Sequence, residues 1–187
     1  MSKYIKKFET TAEYTAFIAT DYVKPNVSYI VEGNEVQYNP IVIETKLVVY
    51  YDIQDISSPT TIYTNYNNSI TSVEVDGTLL DSVVTTYQFD SVGEHVIKYG
   101  FTNPTSVGNS TPLFFDLTTI KRVVIPNTFT SIGNSAFSNC RGLTSCTIGS
   151  GVTSIGTSAF YGCSGLTSID IPNSVTIIGE SAFKNCI

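Results

Sequence analysis

Residues 120–187 can be written as three lines in register. Ile120–Gly142 reads IKRVVIPNTFTSIGNSAFSNCRG, Leu143–Gly165 reads LTSCTIGSGVTSIGTSAFYGCSG and Leu166–Ile187 reads LTSIDIPNSVTIIGESAFKNCI. Gly133, Gly156 and Gly179 align. So do Ala136, Ala159 and Ala182; Phe137, Phe160 and Phe183; and Cys140, Cys163 and Cys186. The segment LFFDLTT just before them puts Phe114 one period of 23 residues ahead of Phe137. A fixed period in the range of roughly 20–29 residues, with apolar residues spaced L-x-x-I-x-I, marks a solenoid whose coils stack on one another.

The second coil shows the physics. Cys146 and Ile148 alternate on a short strand and point inward, with Thr147 outward between them. Gly149–Gly151 turn the chain, and Val152 and Ile155 supply a second inward edge. Gly156 is expected at positive φ, and Ser158-Ala159-Phe160 to open a short helical turn. Small Ala159 permits close approach, Phe160 fills the interior, Cys163 closes the far wall and Leu166 begins the next coil. The inward side chains of one coil do not offset the entropy of ordering its backbone, so stacked neighbours must supply ladder hydrogen bonds and a shared core. Cys140, Cys163 and Cys186 keep the repeat spacing, with no C-x-x-C pair and no nearby histidine. With Cys146 they read as small buried thiols rather than disulfide partners or zinc ligands.

The strings IPNSV and SIGxSAF and the closing NC or GC resemble the BspA-type, or Treponema pallidum-type, bacterial leucine-rich repeat over about residues 113–187. The resemblance implies a non-catalytic leucine-rich-repeat solenoid of about three repeats, used for adhesion or other protein contacts. The second coil departs from the pattern at Gly149, where the others have proline, and at Cys146. The chain stops one residue past a repeat cysteine with no polar capping segment, which leads us to expect a longer array or an end covered by a partner or a second copy.

The preceding residues read as mainly β. Leu47–Ile53 is a strand; Asp76-Gly77 between apolar alternations signals a hairpin; His95, Ile97, Tyr99 and Phe101 alternate along another strand. The string YQFDSVGEHVIKY resembles the last two strands of small immunoglobulin-like sandwiches in bacterial surface and phage proteins. Residues 41–112 are therefore expected to form an immunoglobulin-like β-sandwich that also caps the solenoid through Phe114 and Leu117. Residues 1–40 read as a helix-hairpin docking element. Thr10-x-x-Glu13 fits a capping box before Tyr14, Phe17 and Ile18, and a hairpin crosses Glu32-Gly33-Asn34. The string FETTAEYTAFIATDYVKPNVSYIVEGNEVQYNP is similar to N-terminal segments of virion proteins in phages of gut Bacteroidota.

Composition narrows the function. Charged residues make up only 14 % and apolar residues 42 %, which excludes a disordered tail or a charged helical rod. A net charge of −6 disfavours nucleic-acid binding. The N-terminus MSKYIKKFETTAEYTAFIAT lacks the apolar core and cleavage site of a secretory signal, and no stretch is long and apolar enough to insert in a membrane. His95 is the single histidine, without the partners of a catalytic triad. Asp52 and Asp55 lack a calcium-loop pattern, and no glycine loop cradles phosphate. No catalytic residue, cofactor or metal is expected. Residues 120–187 carry four basic and two acidic groups and are rich in serine and threonine. Such a near-neutral surface suits a protein or glycan partner. The outward strand positions Arg122, Val124, Ser145, Thr147, Ser168 and Asp170 form the expected contact surface. The sequence favours a non-enzymatic phage virion structural or display protein, with other virion proteins or a host surface as partners. The alternative is a secreted bacterial cell-surface adhesin. Self-association into a homo-oligomer is left open.

Overall fold

In a computed structural model, residues 6–8, 29–31, 34–36, 46–64, 70–101, 106–108 and 112–186 are described. The chain divides into two compact units, Met1–Ile43 and Glu44–Ile187. It is mainly β, with no helix among the described residues. In the first unit, β1 (Lys6–Phe8) pairs parallel with β2 (Tyr29–Val31), and β2 pairs antiparallel with β3 (Asn34–Val36). The helix expected at Thr10–Ile18 and the turn residues Glu32 and Gly33 lie outside the described residues.

The second unit starts with β4 (Leu47–Ile53), whose alternation buries Leu47, Val49, Tyr51 and Ile53 on one face. It continues with β5 (Thr60–Thr61), β6 (Ile70–Val75), β7 (Thr78–Leu79), β8 (Thr86–Tyr87) and β9 (Gly93–Phe101). Asp76 and Gly77, at φ 48° and 83°, turn β6 into β7 with the two consecutive positive φ angles of a type I′ hairpin. Then come β10 (Ser106–Val107), β11 (Ile120–Ile125), β12 (Ser131–Ile132), β13 (Ser145–Ile148), β14 (Ser154–Ile155) and β15 (Ile177–Ile178).

A six-stranded sheet runs β13-β11-β4-β9-β6-β7. Strand β11 is its seam. It pairs antiparallel with β4, Val123 opposite Val49, and parallel with β13, Val123 opposite Cys146. Strand β4 thus stands where the strand of a preceding coil would stand. The immunoglobulin-like sandwich expected over 41–112 would need two facing sheets. Here β4, β9, β6 and β7 share one sheet with the coils; among the described residues the remaining strands of this stretch are β5 and β8, which form a two-stranded sheet, and β10, which joins the second sheet of the coils. The reason is where the apolar face goes: it packs into the coil interior and makes one core with it. Tyr99 meets Phe114 at 5.4 Å between ring centroids, and Phe101 meets Phe129 at 5.3 Å. The hydroxyls of Tyr51 and Tyr99 lie 2.9 Å apart, and both donate to the carbonyl of Ile62.

The coils stack as the period requires. The rings of Phe114, Phe137, Phe160 and Phe183 form one column, with centroids 5.2–5.3 Å apart and planes within 12° of parallel. A second, parallel sheet, β10-β12-β14-β15, joins the Ser-Ile positions of successive coils. On the turn side, Phe137 N–H donates to Ala159 O at 2.8 Å and Phe160 N–H to Ala182 O at 2.8 Å. Side chains add to these ladders: Asn134 Oδ1 accepts Thr157 N–H at 2.9 Å, and Thr153 Oγ1 donates to Thr130 O at 3.1 Å.

Two local expectations are corrected. Gly156 does not have positive φ; that conformation falls two residues on, at Ser158 and its equivalents Ser135 and Ser181 (φ 54–56°). Gly156 is needed because the neighbouring backbone fills the space a side chain would use. An added Cβ would lie 2.7 Å from Asn134 N, and at Gly133 it would lie 1.3 Å from Gly108 O. Nor does a helical turn begin at Ser158. Its left-handed backbone stops a right-handed helix, and the segment runs as successive turns closed by Ala159 N–H to Gly156 O, Tyr161 N–H to Ser158 O and Cys163 N–H to Phe160 O.

Candidate interaction surface

Strands β11 and β13 place four of the six expected contact residues together. Arg122 lies beside Ser145 and Val124 beside Thr147, with the side chains outward while Val123, Cys146 and Ile148 fill the core. Arg122 is held by its neighbours: its guanidinium lies 3.7 Å over the Tyr50 ring and its Nη2 is 3.2 Å from Glu94 Oε1. It is therefore a fixed positive point on the face.

Ser168 and Asp170 are exposed but do not extend the sheet. Their segment, residues 166–172, forms no strand, so β13 is the edge. Between the two lies a cavity of about 300 Å³, lined by Ser145–Ile148 on one wall and Ser168–Pro172 on the other. Sequence reasoning named four of its lining residues but not the opening, because the third coil, LTSIDIP, carries the same pattern as the coils that close.

Among the described residues, His95, the four cysteines, Asp52 and Asp55 each have structural partners or are buried. His95 is buried, with Nδ1 2.6 Å from Asp76 Oδ2 and Nε2 3.0 Å from Ser91 O. Burial alone would lower its pKa. The hydrogen bond to Asp76, the Ser91 carbonyl and the charges of Asp76 and Asp90 outweigh it and raise the pKa. The cysteines are free and buried. Cys140, Cys163 and Cys186 each donate to the phenylalanine carbonyl of the previous coil: Cys140 Sγ to Phe114 O at 2.7 Å, Cys163 Sγ to Phe137 O at 3.0 Å and Cys186 Sγ to Phe160 O at 3.0 Å. Burial pushes the Cys163 thiol up to about 12 and raises the other three as well. The Asp55 carboxylate accepts from Ser57 N–H and Oγ–H, which lowers its pKa, and Asp52 takes Gln54 and Lys121.

Residues 105–187 match the BspA type leucine rich repeat region (6 copies). The match starts before the expected residue 113, and the fold accounts for this: β10 already pairs parallel with β12. The signal was Ser106-Val107-Gly108, an echo of Ser131-Ile132-Gly133 at a spacing of 25 rather than 23 residues. No curated protein matches the chain. Among solved structures, the leucine rich repeat protein of T. pallidum (TpLRR) is 24% identical, covering 53% of this chain and 51% of its own, with a TM-score of 0.38. A leucine-rich repeat protein from Bacteroides ovatus is 28% identical, covering 70% of this chain and 32% of its own, with a TM-score of 0.41. The chain thus spans about half the length of the first and a third of the second.

Proposed function

We propose that this chain is a non-enzymatic contact protein of a phage virion, which displays its repeats to a protein partner or to the host surface. The observation that carries this reading is the outward face of β11 and β13. Arg122, Val124, Ser145 and Thr147 stand in register on a rigid sheet, backed by a core shared with the rest of the unit. BspA-like repeats are typically modules of protein–protein or surface contact, which supports the same reading. Its non-catalytic character is supported by the engagement of both His95 ring nitrogens and by the burial of every thiol. The virion assignment is supported by the resemblance of residues 1–40 to phage virion segments. The family match favours a second reading, a bacterial surface adhesin, for which the strand face would serve equally.

Two assays test this. Immunoblotting of density-purified particles and of host envelope fractions is expected to find the chain with the particles; its presence only in the envelope selects the adhesin. Capture of those particles' proteins or host cells by the purified chain is expected to fall in an Arg122→Ser/Val124→Lys variant that melts like the wild type. Undiminished capture would remove the strand face from the account.

A further inference from the structure

The opening in the sheet has a definite chemistry. In the coils that close, β11 and β13 exchange hydrogen bonds in parallel register, Arg122 opposite Ser145 and Val124 opposite Thr147. The same register, carried forward by one period, would set Ser168 against Ser145 and Asp170 against Thr147. That pairing is not made. No backbone hydrogen bond joins residues 166–172 to β13, although the third coil is tied down on either side of the gap. Leu166 N–H donates to Cys163 O at 2.9 Å, Thr176 N–H to Thr153 O at 2.9 Å and Gly179 N–H to Ile155 O at 2.8 Å.

A strand turns the backbone groups of successive residues to opposite sides. Val123 faces β13, so the N–H and C=O of Ser145 and Thr147 are engaged by β11 and those of Cys146 and Ile148 face the cavity. The latter four main-chain groups lie one strand repeat apart, a spacing matched by the backbone of another extended chain. Asp170 is the one charged residue of the lining, and Ile148, Ile171 and Pro172 give one end an apolar wall.

We propose that the cavity between β13 and residues 168–172 is a strand-insertion site. It takes an extended peptide segment of a protein partner, paired through its backbone to Cys146 and Ile148, with a basic side chain against Asp170. Such recognition draws affinity from main-chain hydrogen bonds and selectivity from alternate side chains. The proposal rests on the reading of the repeats as a protein-contact module and names the kind of segment they contact.

The test uses the full chain, which contains no tryptophan. The probe is the peptide acetyl-Val-Thr-Val-Lys-Val-Trp-amide, whose indole fluorescence reports binding without background. The expected result is saturable binding that slows hydrogen exchange at the Cys146 and Ile148 amides. N-methylation of two alternate peptide nitrogens should weaken binding about tenfold or more. Asp170→Asn should weaken it about threefold and flatten its salt dependence.

Three results would overturn the proposal: no binding, equal binding by the N-methylated peptide, or Cys146 and Ile148 amides already protected in the free protein. The last would mean that the third coil closes onto β13. Because the probe is synthetic, failure here with capture of particles or cells intact would remove strand insertion alone. Loss of capture as the measure of the strand face would remove the contact reading itself.

Discussion

Replacing Phe160 by alanine takes out a fully buried ring that has another stacked on each face, Phe137 and Phe183, both at 5.3 Å. Truncating a buried phenylalanine costs about 3–5 kcal/mol. The two lost ring pairs, about 0.5–1.5 kcal/mol each, put Phe160→Ala near the top of that range. Phe160→Leu keeps most of the apolar volume and loses the pairs, so it should cost about 1–3 kcal/mol. Phe183 is partly buried with a ring on one side, so Phe183→Ala should cost less than Phe160→Ala, about 1–3 kcal/mol. The assay is equilibrium urea unfolding by circular dichroism, accepting only variants with an unchanged m-value. The reasoning is refuted if Phe160→Ala is no more costly than Phe183→Ala, or if Phe160→Leu lies within about 0.5 kcal/mol of wild type.

Other outcomes follow from the same geometry. Gly156→Ala should destabilise by about 1–3 kcal/mol, because its Cβ would meet the Asn134 backbone. Gly162→Asn should stay within about 0.5 kcal/mol, since Asn139 and Asn185 already hold the same left-handed conformation at that repeat position; denaturant midpoints check both. The cysteines should resist iodoacetamide in the native protein at pH 8 and react fully in urea. Because burial raises the folded thiol pKa, to about 12 for Cys163, stability should fall as pH rises above the unfolded value of roughly 8.5, as melting curves will show. His95 has a raised folded pKa. Its contribution is therefore complete below the unfolded value of roughly 6.5 and is lost as pH climbs through the folded value; a melting series from pH 5 to 8 should show this, and His95→Gln should flatten it.

The parts of the fold written as periodicity were legible in the sequence. The 23-residue spacing of Phe114, Phe137, Phe160 and Phe183 becomes a column of rings, and Asp76-Gly77 becomes a hairpin turn because few residues accept two positive φ angles in succession. What was not legible depends on partners far along the chain. Alternation in Leu47–Ile53 says which side chains share a face, but not that the strand would pair with Val123 and join the coil sheet instead of facing a second sheet of its own. The recurring Gly133, Gly156 and Gly179 looked like a dihedral requirement and are a requirement for space, set by a backbone one coil away. At the candidate site, the residues on β11 and β13 were readable from alternation. The unpaired edge was not, because Ser168-Ile169-Asp170 differs in no local property from the strands that close.

The central claim is that β4, β9, β6 and the coils form one cooperative body around a continuous interior. Native-state hydrogen exchange of the full chain tests it most directly, by comparing amides inside the six-stranded sheet, such as those of Val49 and Ile97, with the coil amides of Phe137 and Gly156. One shared opening free energy, equal to that of global unfolding, is the expected result; a separate, lower-energy opening of the coils while the β4–β9 amides stay protected would contradict it.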